Sequence, residues 1–157
     1  MNAGFINWKP EHGKLAGYSC EKLTDVSWCW FWDASLWLVD MLQPYPLTYR
    51  DDNGKLYRTF LETFKTDFGS IPAPVRGLPG MSSDRFLLSY LFHDCAYQTH
   101  HQLVSIDNGK TWQPEALTRQ QADQLLREMI SNEPNPGNIL ARNLIYSQVR
   151  AWGWKSW

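Results

Sequence analysis

From Trp28 to Val39 the chain reads WCWFWDASLWLV, an almost unbroken apolar and aromatic run. Such a run predicts strands buried against a core, or one strand followed by a turn at Asp33. The segment LTYRDDNGKLYRTF, Leu47 to Phe60, places Asn53-Gly54 between β-prone flanks. Asn-Gly supplies the positive φ angles of a tight turn, so a hairpin is predicted there. From Phe60 to Ile71 one more strand runs into a loop, and residues 72–81, with three prolines, continue as a connection.

The pattern then changes to helical spacing. Phe86, Tyr90, His93 and Tyr97 recur on one face of a helix expected to begin near Asp84, behind Ser82 or Ser83 as a cap, and to end around His100. Asn108-Gly109 predicts a second, solvent-exposed hairpin inserted before the next helix. Thr118 and Gln121 have the spacing of a capping box, and Leu125, Leu126, Met129 and Ile130 give the apolar face that follows. A third helix is expected from about Asn138 to Trp152, burying Ile139, Leu140, Leu144, Ile145 and Val149. The fold class read from this order is α+β: a β-rich amino-terminal half with hairpins, packed against three carboxy-terminal helices.

At 157 residues, the chain has the length of one domain, 1–157. A net charge of −1 offers no broad basic surface, so nucleic acid is not an expected partner. No apolar run approaches a bilayer-spanning length and no signal peptide is evident, which points to a protein folded in a cytoplasm. Cys20, Cys29 and Cys95 lack metal-site spacing and read as free, mostly buried thiols. Nine tryptophans, clustered near both ends, suit a packed aromatic core or a protein-contact surface.

The chemistry concentrates on the first two helices. His93 and Tyr97, four residues apart, share a face, and Asp94 points about a quarter turn away. Asp123 lies on the second helix at the edge of its apolar face. If the helices pack antiparallel, its carboxylate reaches the His93 imidazole, fixing one ring nitrogen and leaving the other to accept a proton. Asp94 is a candidate ligand for a hard cation such as Ca2+, with Asp67, Phe68, Gly69 and Ser70 offering further oxygen atoms. The same residues also suit a buried polar network that only fixes helix packing.

Three blocks in order, TDFGSIP (Thr66 to Pro72), HDCAY (His93 to Tyr97) and RQQAD (Arg119 to Asp123), resemble a phage- and prophage-encoded family known as domain of unknown function 1353. IYSQVRAWG (Ile145 to Gly153) looks like its closing helix, so the resemblance covers roughly residues 58–153 and leaves the first 45 or so unplaced. More loosely, H-D-x-x-Y beside an aspartate on an antiparallel helix is similar to the plan of phospholipase A2. That similarity implies His93 as base, Asp94 on calcium, Asp123 orienting the histidine and Tyr97 supporting Asp123. The paired cysteines and the glycine-rich calcium loop of those enzymes are missing, and Cys95 is one place away from the cysteine of their motif.

Three functions compete on these grounds. One is a phage-encoded, metal-assisted hydrolase of a lipid ester or other envelope component. The second is a non-catalytic tail or virion component whose Trp-rich ends contact another phage structural protein. The third is a small phage factor that binds a host protein.

Overall fold

The computed structural model describes residues 3–6, 10–11, 14–15, 18–29, 32–41, 47–67, 86–133, 139–152 and 157. For the described residues between 10 and 41 it gives the backbone, with side chains only at 22, 23 and 38. The architecture is α+β. Strands β1 (Gly4–Ile6), β6 (Thr48–Arg50), β7 (Leu56–Thr59), β9 (His101–Ser105) and β10 (Gln113–Ala116) form a five-stranded sheet in that spatial order. The hairpin β4 (Tyr18–Cys29) and β5 (Trp32–Met41) takes β8 (Thr63–Thr66) as its third strand, and β2 (Pro10–Glu11) pairs with β3 (Lys14–Leu15). Every pairing among the described strands is antiparallel.

The apolar run is extended as expected, but it does not turn at Asp33. Asp33 is paired with Ser27 inside the ladder, and the chain reverses between Cys29 and Trp32. The Asn53 hairpin joins β6 to β7, with Gly54 at φ 85° and Asp51 accepting from the Asn53 and Lys55 amides at 2.9 and 2.8 Å. The Asn108 hairpin is exposed at its tip and along β10, as expected, with Ile106 88% exposed, but it is part of the sheet and not an insertion beside it. Its first strand, β9, lies between β7 and β10, with Gln102 and Ser105 each only 3% exposed, because β7 needs a partner on its second edge.

Among the described residues three helices, α1 (Leu87–Thr99), α2 (Arg119–Ser131) and α3 (Ile139–Trp152), pack with these strands. Leu88, Leu91, Phe92 and Cys95 of α1 join Tyr49 and Phe64 of the strands, whereas Phe86 and Tyr90 join Leu126, Ile130, Ala141 and Ile145 of α2 and α3. Being covered on both sides, α1 is buried almost all round instead of carrying a single apolar stripe.

The described helix begins behind Phe86 with no side-chain cap hydrogen bond there, and the expected cap at Ser82 or Ser83 and start near Asp84 lie outside the described residues. Glu133, just beyond α2, does that work from a distance: the Ser89 amide and hydroxyl donate to Oε1 at 3.0 and 2.8 Å. The helix closes at His100 in the left-handed region, φ 55°. The capping box of α2 is present in both directions. In α3, Ala141 and Ile145 are buried, but Ile139 and Leu140, expected inside, are 68% and 64% exposed. The core contacts of α3 begin at Ala141, so its first turn stands clear of them.

Candidate functional site

The contacts between α1 and α2 run from Ser89 with Glu133 at one end to Tyr97 with Asp123 at the other, which makes the pair antiparallel. Because the capping box fixes where α2 starts, it also fixes the turn on which Asp123 stands. His93 Nε2 lies 3.1 Å from Asp123 Oδ1, and the Tyr97 hydroxyl donates to the same oxygen at 2.5 Å. The His93 and Tyr97 rings are 4.1 Å apart between centroids.

Asp123 has no exposed surface. Burial alone would push its carboxyl up, but hydrogen bonds from His93, Tyr97 and Arg150 outweigh it and hold the group below the usual range. An ionised Asp123 only accepts, so Nε2 of His93 carries the proton toward it. Burial first, and the neighbouring carboxylate second, push the Tyr97 hydroxyl up, so it stays a donor.

Sequence reasoning missed Arg150. From the last turn of α3 its Nη1 donates to Asp123 Oδ2 at 2.6 Å, and that hydrogen bond raises the guanidinium still further. The signal was present in the IYSQVRAWG block, but helical spacing within α3 does not say which α1 or α2 residue an exposed-edge arginine meets. Arg119, by contrast, reaches the Arg150 carbonyl at 3.3 Å and ties α2 to α3. Trp157 also contributes: its ring meets Tyr97 edge-on at 5.0 Å and stacks on His100 at 4.4 Å.

Asp94 is on another side of α1. The Thr66 hydroxyl donates to its Oδ2 at 2.5 Å, at the end of β8. Burial, and then the charge of Asp67, push the Asp94 carboxyl well above the usual range, against the hydrogen bonds from Thr66 and the Asp67 backbone. Asp67 and Asp94 are therefore brought together, whereas Phe68, Gly69 and Ser70 lie outside the described residues. Among the described residues no group of three or more His, Cys, Asp or Glu side chains is assembled. Cys95 is a free, buried thiol pushed up to about 11 by burial, which suits packing and not a thiolate.

The profile of a family described as "Protein of unknown function (DUF1353)" matches residues 41–149. The chain belongs to that family, and the match includes every residue of the cluster except Arg150 and Trp157. No curated protein and no solved structure matches the chain. No described helix is long and apolar enough to cross a membrane.

Proposed function

We propose that this chain is a phage- or prophage-encoded hydrolase of an ester, with a lipid ester of the cell envelope as the substrate class and His93 as general base. The observation that carries the reading is His93 Nε2 held at 3.1 Å by a buried, ionised Asp123. His93 Nδ1 would take a proton from water as the water oxygen bonds to the ester carbonyl carbon, and the imidazolium would return it to the departing alkoxide. Asp123 stabilises the charged ring, and Tyr97 and Arg150 keep Asp123 in place.

Asp94 and Asp67 are hard oxygen donors of the kind Ca2+ takes, and a cation beside them would offset the repulsion that disfavours Asp94 ionisation. When bound, it would polarise the attacked carbonyl. The lipid substrate is supported by the similarity of the His93 to Tyr97 motif to phospholipase A2.

One observation favours a second reading, a non-catalytic tail or virion component: Asp123 has no exposed surface and His93 only 8%. There the cluster fastens three helices together and the Trp-rich ends make the protein contacts. Fatty-acid release from phospholipid vesicles with Ca2+ separates the two. The hydrolase reading expects slow release, abolished by His93→Gln and by chelation and unchanged by Cys95→Ser. A folded protein that releases nothing from several lipid classes and binds no divalent ion overturns the hydrolase reading and leaves the second preferred.

A further inference from the structure

Two turns of the five-stranded sheet contain the same tetrapeptide, Asp-Asn-Gly-Lys, at residues 52–55 and 107–110. They stand at the same end of the sheet, since Leu56, just after the first, is paired with Ser105, just before the second. An Asn-Gly step is chemically self-reactive: glycine has no Cβ to hinder its backbone nitrogen from approaching the preceding side-chain amide. With identical immediate neighbours, the two sites have matching local chemistry, and any difference in the folded protein comes from tertiary structure.

The two environments differ sharply. Asn53 is exposed, and its side-chain amide makes no hydrogen bond among the described residues. A Cβ placed on Gly54 would meet nothing within 4 Å, and the Gly54 amide is held by the Asp51 carbonyl at 3.1 Å. In the second turn Arg50 Nη2 donates to Asn108 Oδ1 at 3.2 Å, and Asn108 is set at φ 61°. The Gly109 amide donates to the buried Ser105 hydroxyl at 2.9 Å, and Trp112 Nε1 donates to the Gly109 carbonyl at 3.1 Å. A Cβ on Gly109 would lie 3.5 Å from Leu56 and 3.7 Å from Trp112. Asp107 closes the turn by accepting from Ser105 at 2.6 Å and from the Thr111 amide and hydroxyl at 2.9 and 2.5 Å.

We propose that Asn53 is a site of spontaneous self-modification in the folded protein, converting through a succinimide to aspartate and isoaspartate, while the fold protects Asn108. The Gly54 nitrogen, released from the Asp51 carbonyl and giving its proton to solvent base, bonds to Asn53 Cγ. The Cγ–amide bond breaks, and the side-chain nitrogen takes a proton and leaves as ammonia. Water then adds to either ring carbonyl, so the net change is loss of ammonia and gain of water. At Asn108 the same attack requires breaking the Arg50 contact, the Ser105 bond and the enclosure by Leu56 and Trp112 together.

The product matters to its surroundings. A new carboxylate joins Asp51 and Asp52, whose charges already bear on Glu128, the hydrogen-bond partner of the Tyr49 hydroxyl at 2.8 Å. The isoaspartate form also lengthens the main chain inside a turn whose Asn53 and Lys55 amides are both fixed by Asp51.

The full chain incubated in mildly alkaline buffer, sampled over time by peptide mapping with mass spectrometry and by isoaspartyl methyltransferase labelling, tests this. Asn53 should convert several-fold faster than Asn108 in the native protein, and the two rates should converge in concentrated urea. Asn53→Gln should remove the early label, and Arg50→Ala should speed Asn108 without changing Asn53. Equal native rates, or Asn108 reacting first, would overturn the proposal.

Discussion

Asp94 and Asp123 are both carboxylates that desolvation pushes up, yet the fold treats them oppositely. Asp123 meets a guanidinium, a phenol and an imidazole N–H and is held ionised. Asp94 meets one hydroxyl, one backbone amide and a second carboxylate, and is pushed toward its neutral form. Burial is common to both, so burial does not decide charge; the number and sign of the partners do. Glu133 is a third case, covered like Asp123 but answered among the described residues by neutral donors, and it rises to about 7 with burial as the leading cause.

The largest effect is expected from Asp123→Ala. It leaves the buried His93 ring and Tyr97 hydroxyl without their acceptor, and a buried donor left unsatisfied costs about 1–3 kcal/mol, whereas the half-exposed Arg150 can turn to solvent. Urea denaturation measures it, and a loss under about 1 kcal/mol would erase the contrast with Asp94.

A smaller effect is expected from pH through Glu133. Its folded value of about 7 lies above the ordinary 4.5, so the folded state holds the proton more tightly than the unfolded chain. The associated stability is fully present below 4.5 and is lost as pH rises through about 7. At about 1.4 kcal/mol per pH unit, that interval sets a ceiling of roughly 3 kcal/mol. Glu133→Gln keeps an oxygen for Ser89 and should flatten this part of the stability profile between pH 5 and 8. An unchanged slope in the variant would contradict the assignment.

The smallest effect belongs to Asp94→Asn. A group already biased toward its neutral form resembles an amide, the Thr66 hydroxyl keeps an acceptor, and the repulsion with Asp67 disappears. Stability should change by less than about 1 kcal/mol in either direction. A loss as large as that of Asp123→Ala would show that Asp94 is held as an anion after all.

The sequence by itself determined the α+β order, the two Asn-Gly hairpins, the capping box at Thr118 and the two helices that carry His93 and Asp123. These are local matters: turn residues, cap residues and a 3.6-residue repeat act over a few neighbours. Only the tertiary structure decided that Arg150 completes the Asp123 site, that Glu133 caps α1 from the end of α2, and that β9 is an interior strand. It also decided that Ile139 and Leu140 face solvent. Each of these depends on which surfaces meet across 27 to 44 residues of chain or on which ladder edge remains to be filled. The two identical Asp-Asn-Gly-Lys turns show the division most directly: the tetrapeptide specifies a turn in both places, and only packing around Gly109 and the reach of Arg50 make the second unlike the first.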